Sequence, residues 1–299
     1  MNKHIFFDNL TASVGALIAG KKKFFAKSIQ SPAWEELVAG INLTIPSIEG
    51  EGIFEVNAET LAGGLDPAFR VAQWKGNEYP TIIYHHGNNE RPFDFKKTAK
   101  NTFYNIFINS QENLEANLIV VRAPFHNCPL KHYQEKMLEL SNFTSMIATS
   151  VKLNEEIIQQ VKKVSSKPII TSGISLGGWV TNLHRGIYNT STAYAPIMAG
   201  TFPGELFLKS KYRKMTSELA LNNPEKIRKV LNFNNDFEKQ RTPDVFPLLA
   251  RYDQFVEYNV QKESYNESSI KTIENGHVTG ALNSKELRKH LLLVLETIG

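Results

Sequence analysis

The stretch Pro168-Ile169-Ile170-Thr171-Ser172-Gly173-Ile174-Ser175-Leu176-Gly177-Gly178 joins an apolar run to a Gly-x-Ser-x-Gly pattern. The run is typical of a strand that is buried on both faces. A helical stretch at 179–188 follows the glycines. A serine between glycines at such a junction is typical of a sharp strand-to-helix turn, which exposes the serine hydroxyl above the edge of a sheet. The pattern is weak by itself, so its meaning depends on the rest of the chain.

Short apolar runs alternate with helical stretches on both sides of this turn. The runs predict strands at 53–56, 68–72, 81–86, 117–121, 168–172, 192–196, 245–250 and 268–273. Apolar residues at helical spacing predict helices at 146–164 and 284–298, the first ending near Ser165 because Pro168 follows. This alternation predicts an α/β fold with a mostly parallel sheet covered on both faces.

Two segments lie outside this alternation. We expect residues 1–50 to form an N-terminal helical extension packed on the core, and residues 51–299 to form the main domain, which contains this pattern of strands and helices. The segment 198–242 is too long for a simple crossover and carries helical patterns. We expect it to form a small helical insertion before the seventh strand and to act as a lid over the site.

Composition sets the broad class of the protein. The chain has 299 residues, 41% of them hydrophobic and 21% charged, with a net charge of +4, which is typical of a soluble globular protein. Because no basic block stands out, we expect no nucleic-acid partner. Cys128 is the only cysteine, which excludes an intrachain disulfide and a cysteine-based zinc site. We interpret it as a small, buried or half-buried residue.

An apolar segment, 10–20, lies near the N-terminus. Lysines follow this segment, whereas a signal peptide has its basic residues first, and the segment is too short to span a bilayer. We therefore expect a docked helix and a cytoplasmic protein. Contact of this helix with a membrane surface is the alternative.

Ser175 needs a base before its hydroxyl can act as a nucleophile. Three histidines follow it in the sequence. His184 lies nine residues later in the same predicted helix and points elsewhere, and His290 is expected on the surface of the closing helix. His277 lies in a glycine-marked loop after the last predicted strand, where catalytic groups collect in parallel sheets. The sequence therefore favours His277 as the base.

The base needs a carboxylate that orients its ring. Asp253 directly follows the predicted strand 245–250 and is the favoured acid. Asp236, which precedes that strand, is the main alternative. The helix that begins after Ser175 would direct the amide of Leu176 at a developing oxyanion.

The pair His85-His86 ends the third predicted strand. Adjacent histidines on a strand point to opposite faces, and no third ligand has suitable spacing, so a metal site is not expected. We interpret this pair as structural, bonded to the backbone of the loop, and expect no cofactor.

Taken in order, four places in the chain resemble the α/β-hydrolase superfamily. They are His86-Gly87, the Gly-x-Ser-x-Gly-Gly segment 173–178, Tyr252-Asp253, and Gly276-His277-Val278. The resemblance covers about residues 50–299. It implies an eight-stranded, mostly parallel sheet, a triad of Ser175, Asp253 and His277, and an oxyanion hole in which Asn88 or Asn89 joins Leu176.

The expected function is that of a serine hydrolase that cleaves a carboxylic ester, thioester or amide through an acyl-enzyme on Ser175. The expected partner is a small acyl substrate. Two alternatives stay open: a ligand-binding protein without catalysis, and a membrane-surface lipase whose first helix and insertion contact lipid. The sequence assigns neither an acyl length nor an oligomeric state. Aromatic candidates for the pocket wall are Trp179, Tyr194, Phe202, Phe207 and Phe255.

Overall fold

One eight-stranded sheet runs through the centre of the computed structural model, which describes residues 2–20, 22–96, 98–99, 101–110, 114–240 and 244–299. The strands are β1 (Gly52–Glu55), β2 (Ala68–Gln73), β3 (Thr81–His85), β4 (Asn117–Arg122), β5 (Ile169–Ile174), β6 (Ala193–Ile197), β7 (Leu248–Ala250) and β8 (Lys271–Ile273). Their spatial order is β1-β2-β4-β3-β5-β6-β7-β8. β2 is antiparallel to both of its neighbours, β1 and β4. The six strands β3 to β8 are all parallel to one another. The predicted mostly parallel sheet is confirmed.

The central strands are buried on both faces. Every residue of β3, β4, β5 and β6 is buried, and for β3, β4 and β5 the continuous apolar runs predicted this. Successive side chains point to opposite sides, so Ile82 and Ile83 belong to two different core clusters.

The last two strands are shorter than predicted. β7 begins after Pro247, which has no amide hydrogen to donate to a ladder. β8 begins after a 3-10 turn, Glu267–Ser269, in which the Asn266 side chain accepts the Ser268 amide. Local turn chemistry therefore removed the first residues of both predicted strands.

Helices cover both faces of the sheet. They are α1 (Lys3–Ala19), α2 (Trp34–Ala39), α3 (Leu130–Lys136), α4 (Leu140–Val164), α5 (Leu176–Ile187), α6 (Pro203–Leu208), α7 (Glu218–Leu221), α8 (Pro224–Leu231), α9 (Asn234–Glu238), α10 (Tyr258–Gln261), α11 (His277–Ala281) and α12 (Ser284–Ile298). Helices α4 and α5 pack on one face, whereas α12 and a π-helix, Tyr104–Ile108, pack on the other. Two further 3-10 helices are Lys211–Met215 and Lys262–Ser264. A separate three-stranded sheet contains Asn42–Leu43, Ala58–Thr60 and Gly63–Leu65.

The two segments outside the sheet meet each other above its edge. Helix α1 packs against the 3-10 helix Lys211–Met215 and against α11. The chain between β6 and β7 contains α6 to α9, and positions 241 and 242 of the expected insertion lie outside the described residues. Across the described part of the chain, no helix is both long enough and apolar enough to cross a membrane.

Candidate active site

Ser175 lies at the turn between β5 and α5. Its φ is +54°, a left-handed conformation that costs a non-glycine residue about 1–3 kcal/mol. The Ser175 amide donates to the Ile197 carbonyl at 2.9 Å, which fixes the turn against β6. The serine is therefore held in a strained conformation by its surroundings.

The glycines of the motif allow three backbone segments to meet. A Cβ at Gly173 would lie 2.5 Å from the Gly177 carbonyl carbon, and a Cβ at Gly177 would overlap the His85 carbonyl oxygen. A Cβ at Gly178 would lie 2.5 Å from the Cβ of Ala199. Glycine is required at these positions because no side chain fits there.

The structure brings Ser175, His277 and Asp253 together in one hydrogen-bonded row. His277 Nε2 lies 3.0 Å from Ser175 Oγ, and His277 Nδ1 lies 2.6 Å from Asp253 Oδ2. The other carboxylate oxygen of Asp253 accepts the amides of Phe255 and Val256, each at 2.8 Å. Asp253 follows β7 and His277 follows β8, at the carboxyl ends of neighbouring parallel strands.

Charges around the imidazole raise its pKa. Burial lowers the pKa of His277, but the carboxylates of Asp253 and Asp8 together outweigh burial, so the net direction is upward. Burial also raises the pKa of Asp253, with Asp8 adding to the rise and His277 opposing it. When Nδ1–H donates to Asp253, Nε2 is left free to accept the Ser175 hydroxyl proton.

The competing residues lie elsewhere. Asp236 is in α9, where it pairs with Lys239 and lies beside Gly186 near the far end of α5 from Ser175. His184 points away from Ser175 and bonds to Glu155 and Tyr194. The expectation that His290 is a surface residue is wrong: it is buried, and its Nε2 donates to the Phe246 carbonyl, because α12 turns this side towards the sheet.

Two loops offer amides close to Ser175. Leu176 is the first residue of α5, so its amide has no acceptor within the helix. Asn89, with φ +63°, donates its amide to His126 Nε2 at 3.3 Å. Among the described residues the Asn88 amide has no such acceptor, while the Asn88 side-chain oxygen accepts the Tyr133 hydroxyl at 2.7 Å.

The two adjacent histidines differ from expectation. Their rings stack, with centroids 4.9 Å apart, instead of pointing to opposite faces, because β3 ends at His85 and its alternation stops there. His86 donates to the Gly87 carbonyl and accepts the Ala123 amide, which ties the loop to the end of β4. Burial lowers the pKa of His85 to about 3, so this ring is neutral. In the described part of the chain, no group of three or more histidine, cysteine, aspartate or glutamate side chains is arranged so that it could hold a metal ion.

A cavity of about 350 Å³ opens beside Ser175 and His277. Three of the five aromatic candidates, Trp179, Phe207 and Phe255, line it, whereas Tyr194 and Phe202 do not. Helix α1 supplies Thr11 and Gly15 to the wall. The segment between β6 and β7 supplies Leu206, Phe207, Tyr212 and Met215. The N-terminal helix and this segment therefore both cover the cavity.

Sequence reasoning missed two carboxylates near the site, a buried one at Asp8 and a half-buried one at Glu90. Asp8 of α1 is fully buried and accepts the amides of Gln254, His277 and Val278. Glu90 lines the cavity, and burial raises its pKa to about 7 although bonds from Thr102 oppose the rise. One signal for Asp8 was available, since it is the only acidic residue among the first 34. Glu90 carried no such signal.

The chain is similar to several solved enzymes in fold. It superposes on acetyl xylan esterase 1 from Thermoanaerobacterium sp. JW/SL YS485 with a TM-score of 0.53 and 13% identity, covering 89% of this chain and 96% of that one. For the acetyl xylan esterase of Paenibacillus sp. R4 the TM-score is 0.52 and the identity 10%, covering 100% and 95%. For the acylaminoacyl peptidase of Pyrococcus horikoshii the TM-score is 0.55 and the identity 13%, covering 83% of this chain and only 42% of the peptidase.

The likeness to known proteins is visible in the fold and not in the sequence. No family model matches the chain, and no curated protein is similar to it. The superpositions span 83% to 100% of this chain, so the likeness covers most of the fold, including the eight-stranded sheet. The chain therefore has the α/β-hydrolase fold.

Proposed function

We propose that this protein is a serine hydrolase that cleaves a carboxylic ester, thioester or amide through an acyl-enzyme on Ser175. The observation that carries the proposal is the unbroken hydrogen-bonded row from Ser175 through His277 to Asp253. In this row a hydroxyl, an imidazole and a carboxylate stand within hydrogen-bond distance and in the order that proton transfer needs.

The roles follow from the donors and acceptors. Ser175 Oγ attacks the substrate carbonyl while its proton passes to His277 Nε2, and His277 then gives this proton to the leaving group. Asp253 accepts Nδ1–H, keeps the ring in the required tautomer and stabilises the imidazolium. In the second half, water attacks the acyl carbonyl, its proton passes to His277, and Ser175 regains that proton as the acid product leaves.

The oxyanion would lie between two backbone amides. Leu176 supplies one of them from the start of α5. We favour Asn88 over Asn89 for the other, because the Asn89 amide already donates to His126. The Tyr133 hydroxyl donates a hydrogen bond to the Asn88 side chain, and this bond would hold Asn88 in place.

The cavity supports an uncharged, apolar acyl group as the substrate part next to Ser175. Its wall is mainly apolar and aromatic, and burial of a charge there would be costly. The superposed proteins include esterases and a peptidase, which agrees with ester or amide cleavage as the reaction class. An ester of a small aromatic or medium-length aliphatic acid is therefore the first substrate to test.

The proposal is tested with a fluorophosphonate probe on the purified protein. We expect labelling of the wild type and of Ser13→Ala, and none of Ser175→Ala. Ser13 lies exposed on α1 and bonds to Lys214, so it serves as a matched serine control. A small organophosphate should be used in parallel, because α1 and the segment between β6 and β7 line the cavity and would hinder a bulkier probe. A folded wild-type protein that reacts with neither probe would contradict the proposal.

A ligand-binding role without catalysis is the first alternative. It would be favoured by a wide gap between nucleophile and base, but the distance between Ser175 Oγ and His277 Nε2 is 3.0 Å. Fold does not by itself decide between these roles. Binding of an ester without its turnover would favour the alternative.

A membrane-surface lipase is the second alternative, and one observation favours it. The outer face of α1 carries large apolar side chains that are between 43% and 82% exposed. They are Phe6, Phe7, Leu10, Val14, Leu17 and Ile18. Such a face is typical of helices that rest in a lipid interface.

Liposome flotation tests this alternative. Deleting residues 1–40 would remove Phe25, Trp34 and Leu37 from the core, so exposed point substitutions are the better choice. The double variant Leu10→Ser/Leu17→Ser should keep the fold and lose flotation with vesicles that contain phosphatidylglycerol. Equal flotation of the variant and the wild type, or none of either, would count against the lipase.

A further inference from the structure

Asp8 is a carboxylate in an unusual place. It lies in α1, a helix whose other side chains are mostly apolar, and it is fully buried. A buried carboxylate is costly unless it is paired or hydrogen-bonded. Among the described residues its hydrogen-bond partners are three backbone amides and no cationic side chain.

The three amides come from the two segments that carry the acid and the base, namely the turn after β7 and the loop after β8 with the start of α11, which we call the Asp253 and His277 loops. Asp8 Oδ2 accepts the Gln254 amide at 3.0 Å and the His277 amide at 2.8 Å. Asp8 Oδ1 accepts the Val278 amide at 3.0 Å. Gln254 directly follows Asp253, so one side chain holds the neighbour of the acid and the backbone of the base at the same time.

The other links between these loops lie nearer the strands. The Arg251 amide donates to the Ile273 carbonyl at 3.0 Å, and the Tyr252 amide donates to the Asn275 carbonyl at 2.9 Å. Beyond these bonds the two loops run past the edge of the sheet. At the level of the catalytic side chains the two loops are joined by the His277–Asp253 hydrogen bond and by Asp8, which binds their backbone amides.

The fit between α1 and the base loop is close. A Cβ at Gly276 would lie 2.7 Å from Asp8 Oδ2 and 3.0 Å from the His4 carbonyl oxygen. His4 Nδ1 lies 2.8 Å from the Thr279 hydroxyl, which also accepts the Gly276 amide at 3.0 Å. The absence of a side chain at Gly276 is what lets Asp8 reach the amides.

We propose that Asp8 is a positioning residue, which reaches from the N-terminal helix to hold the Asp253 and His277 loops so that His277 stays within reach of Ser175. This inference rests on the proposed hydrolase function. Asp8 touches neither Ser175 nor the cavity in which the acyl group would lie. It acts on the reaction through the backbone of His277 and through its charge.

The charge of Asp8 gives the proposal a readout that packing alone would not. The charged groups that face His277 are Asp253 and Asp8, both of which raise its pKa, while Glu257 faces Asp253. Neutralising Asp8 would therefore lower the pKa of His277. Because the base must be unprotonated to act, the rise of kcat/KM with pH would move to lower pH.

Kinetics of Asp8→Asn supply the first test. The asparagine side chain keeps one oxygen that can accept a backbone N–H. Its NH₂ group would replace the other oxygen and face a second backbone N–H, and this repulsion would shift the loops. We expect kcat to fall about 10- to 100-fold, since a misplacement of about 1 Å can cost that much. The KM of a small ester should stay within about twofold, the acid limb should move down in pH, and Ser13→Ala should behave as wild type. An Asp8→Asn enzyme with wild-type kcat and an unmoved limb would overturn the proposal.

A second variant covers the case in which Asp8→Asn does not fold. Gly276 has φ −89° and ψ −173°, a conformation open to alanine, and the three atoms nearest to an added Cβ all belong to α1, so Gly276→Ala disturbs the contact with α1 first. We expect the same fall in kcat with the KM preserved. Unchanged kcat in Gly276→Ala would also overturn the proposal.

A measurement without turnover separates this inference from the proposed function. In the Ser175→Ala background, ¹³C-histidine NMR should give a lower pKa for His277 in Asp8→Asn than with Asp8 intact. Hydrogen exchange of the Gln254, His277 and Val278 amides should also become faster. If these changes occur but the wild type cleaves no ester, the hydrolase proposal fails and the positioning role stands. If neither changes while the wild type is active, only the positioning role fails.

Discussion

The turn that carries Ser175 and the loops that carry Asp253 and His277 are held in place by different means. The turn is enclosed by its own neighbours: β5, α5 and the end of β3 meet at glycines within a few residues of the serine. The loops extend past the sheet and are held by a side chain that lies 246 to 270 positions earlier in the chain. A serine that is held by local packing is specified by a short motif, whereas an aspartate and a histidine that are held by remote contacts are not.

Among the substitutions in these two regions, the largest loss of activity is expected at Asp253. Asp253→Asn should lower kcat by about 10⁴-fold, or about 5 kcal/mol. The asparagine oxygen would keep the amides of Phe255 and Val256, so its NH₂ group would face His277 Nδ1. The ring proton would then lie on Nε2, and a protonated Nε2 cannot accept the hydroxyl proton of Ser175.

Steady-state ester hydrolysis measures this effect, and Asp236→Asn is the matched control. Asp236 pairs with Lys239 in α9 and should be replaceable with less than about a twofold change. A large loss in Asp236→Asn with a small one in Asp253→Asn would reverse the assignment of the acid.

The next effect is on stability at the turn. Gly177→Ala introduces a Cβ that overlaps the His85 carbonyl oxygen in the middle of the sheet, where neither backbone can give way. We expect a loss of at least about 3 kcal/mol in the free energy of unfolding, measured with urea. Gly63→Ala tests a glycine with open space around it but φ +98°, so it should cost about 1 kcal/mol. Equal losses would contradict the contact argument, because Gly177 lies in α5 without a positive φ and only the close approach of His85 requires glycine there.

The pH dependence of the wild type tests the loops without substitution. Because Asp253 and Asp8 outweigh burial, the pKa of His277 lies above its ordinary 6.5. The imidazole is protonated and inactive below this pKa, so kcat/KM should rise with pH and reach half its limit above pH 6.5. A midpoint below 6.5 would mean that burial dominates over the two carboxylates.

The smallest effect is expected at Glu90, beside the Asn88 loop. Burial raises its pKa from 4.5 to about 7, so the folded state holds the proton more tightly than the unfolded state. The stabilisation from this proton is present below about pH 4.5 and is lost as the pH rises to about 7. Glu90→Gln should therefore show a smaller fall of Tm between pH 5 and pH 8 than the wild type, measured by calorimetry. A steeper fall in the variant would contradict the direction of the pKa shift.

Much of the fold could be predicted because its signals are local. The β-branched runs gave the central strands, and Pro168 gave the end of α4. The edges were less accurate, since Pro247 and the Asn266 turn shorten β7 and β8. His290 was misplaced because one helix offers two faces, and only packing decides which of them meets the sheet.

The sequence by itself determined the turn at Ser175 and the order of the chemical groups along the chain, because glycine spacing and strand runs act over a few residues. Only the tertiary structure decided that His277 reaches Ser175, that Asp253 and not Asp236 lies beside it, and that α1 covers the cavity. The role of Asp8 was decided there as well. Its carboxylate meets three amides from two distant loops, and no pattern in the first fifty residues specifies a partner that folding alone brings near.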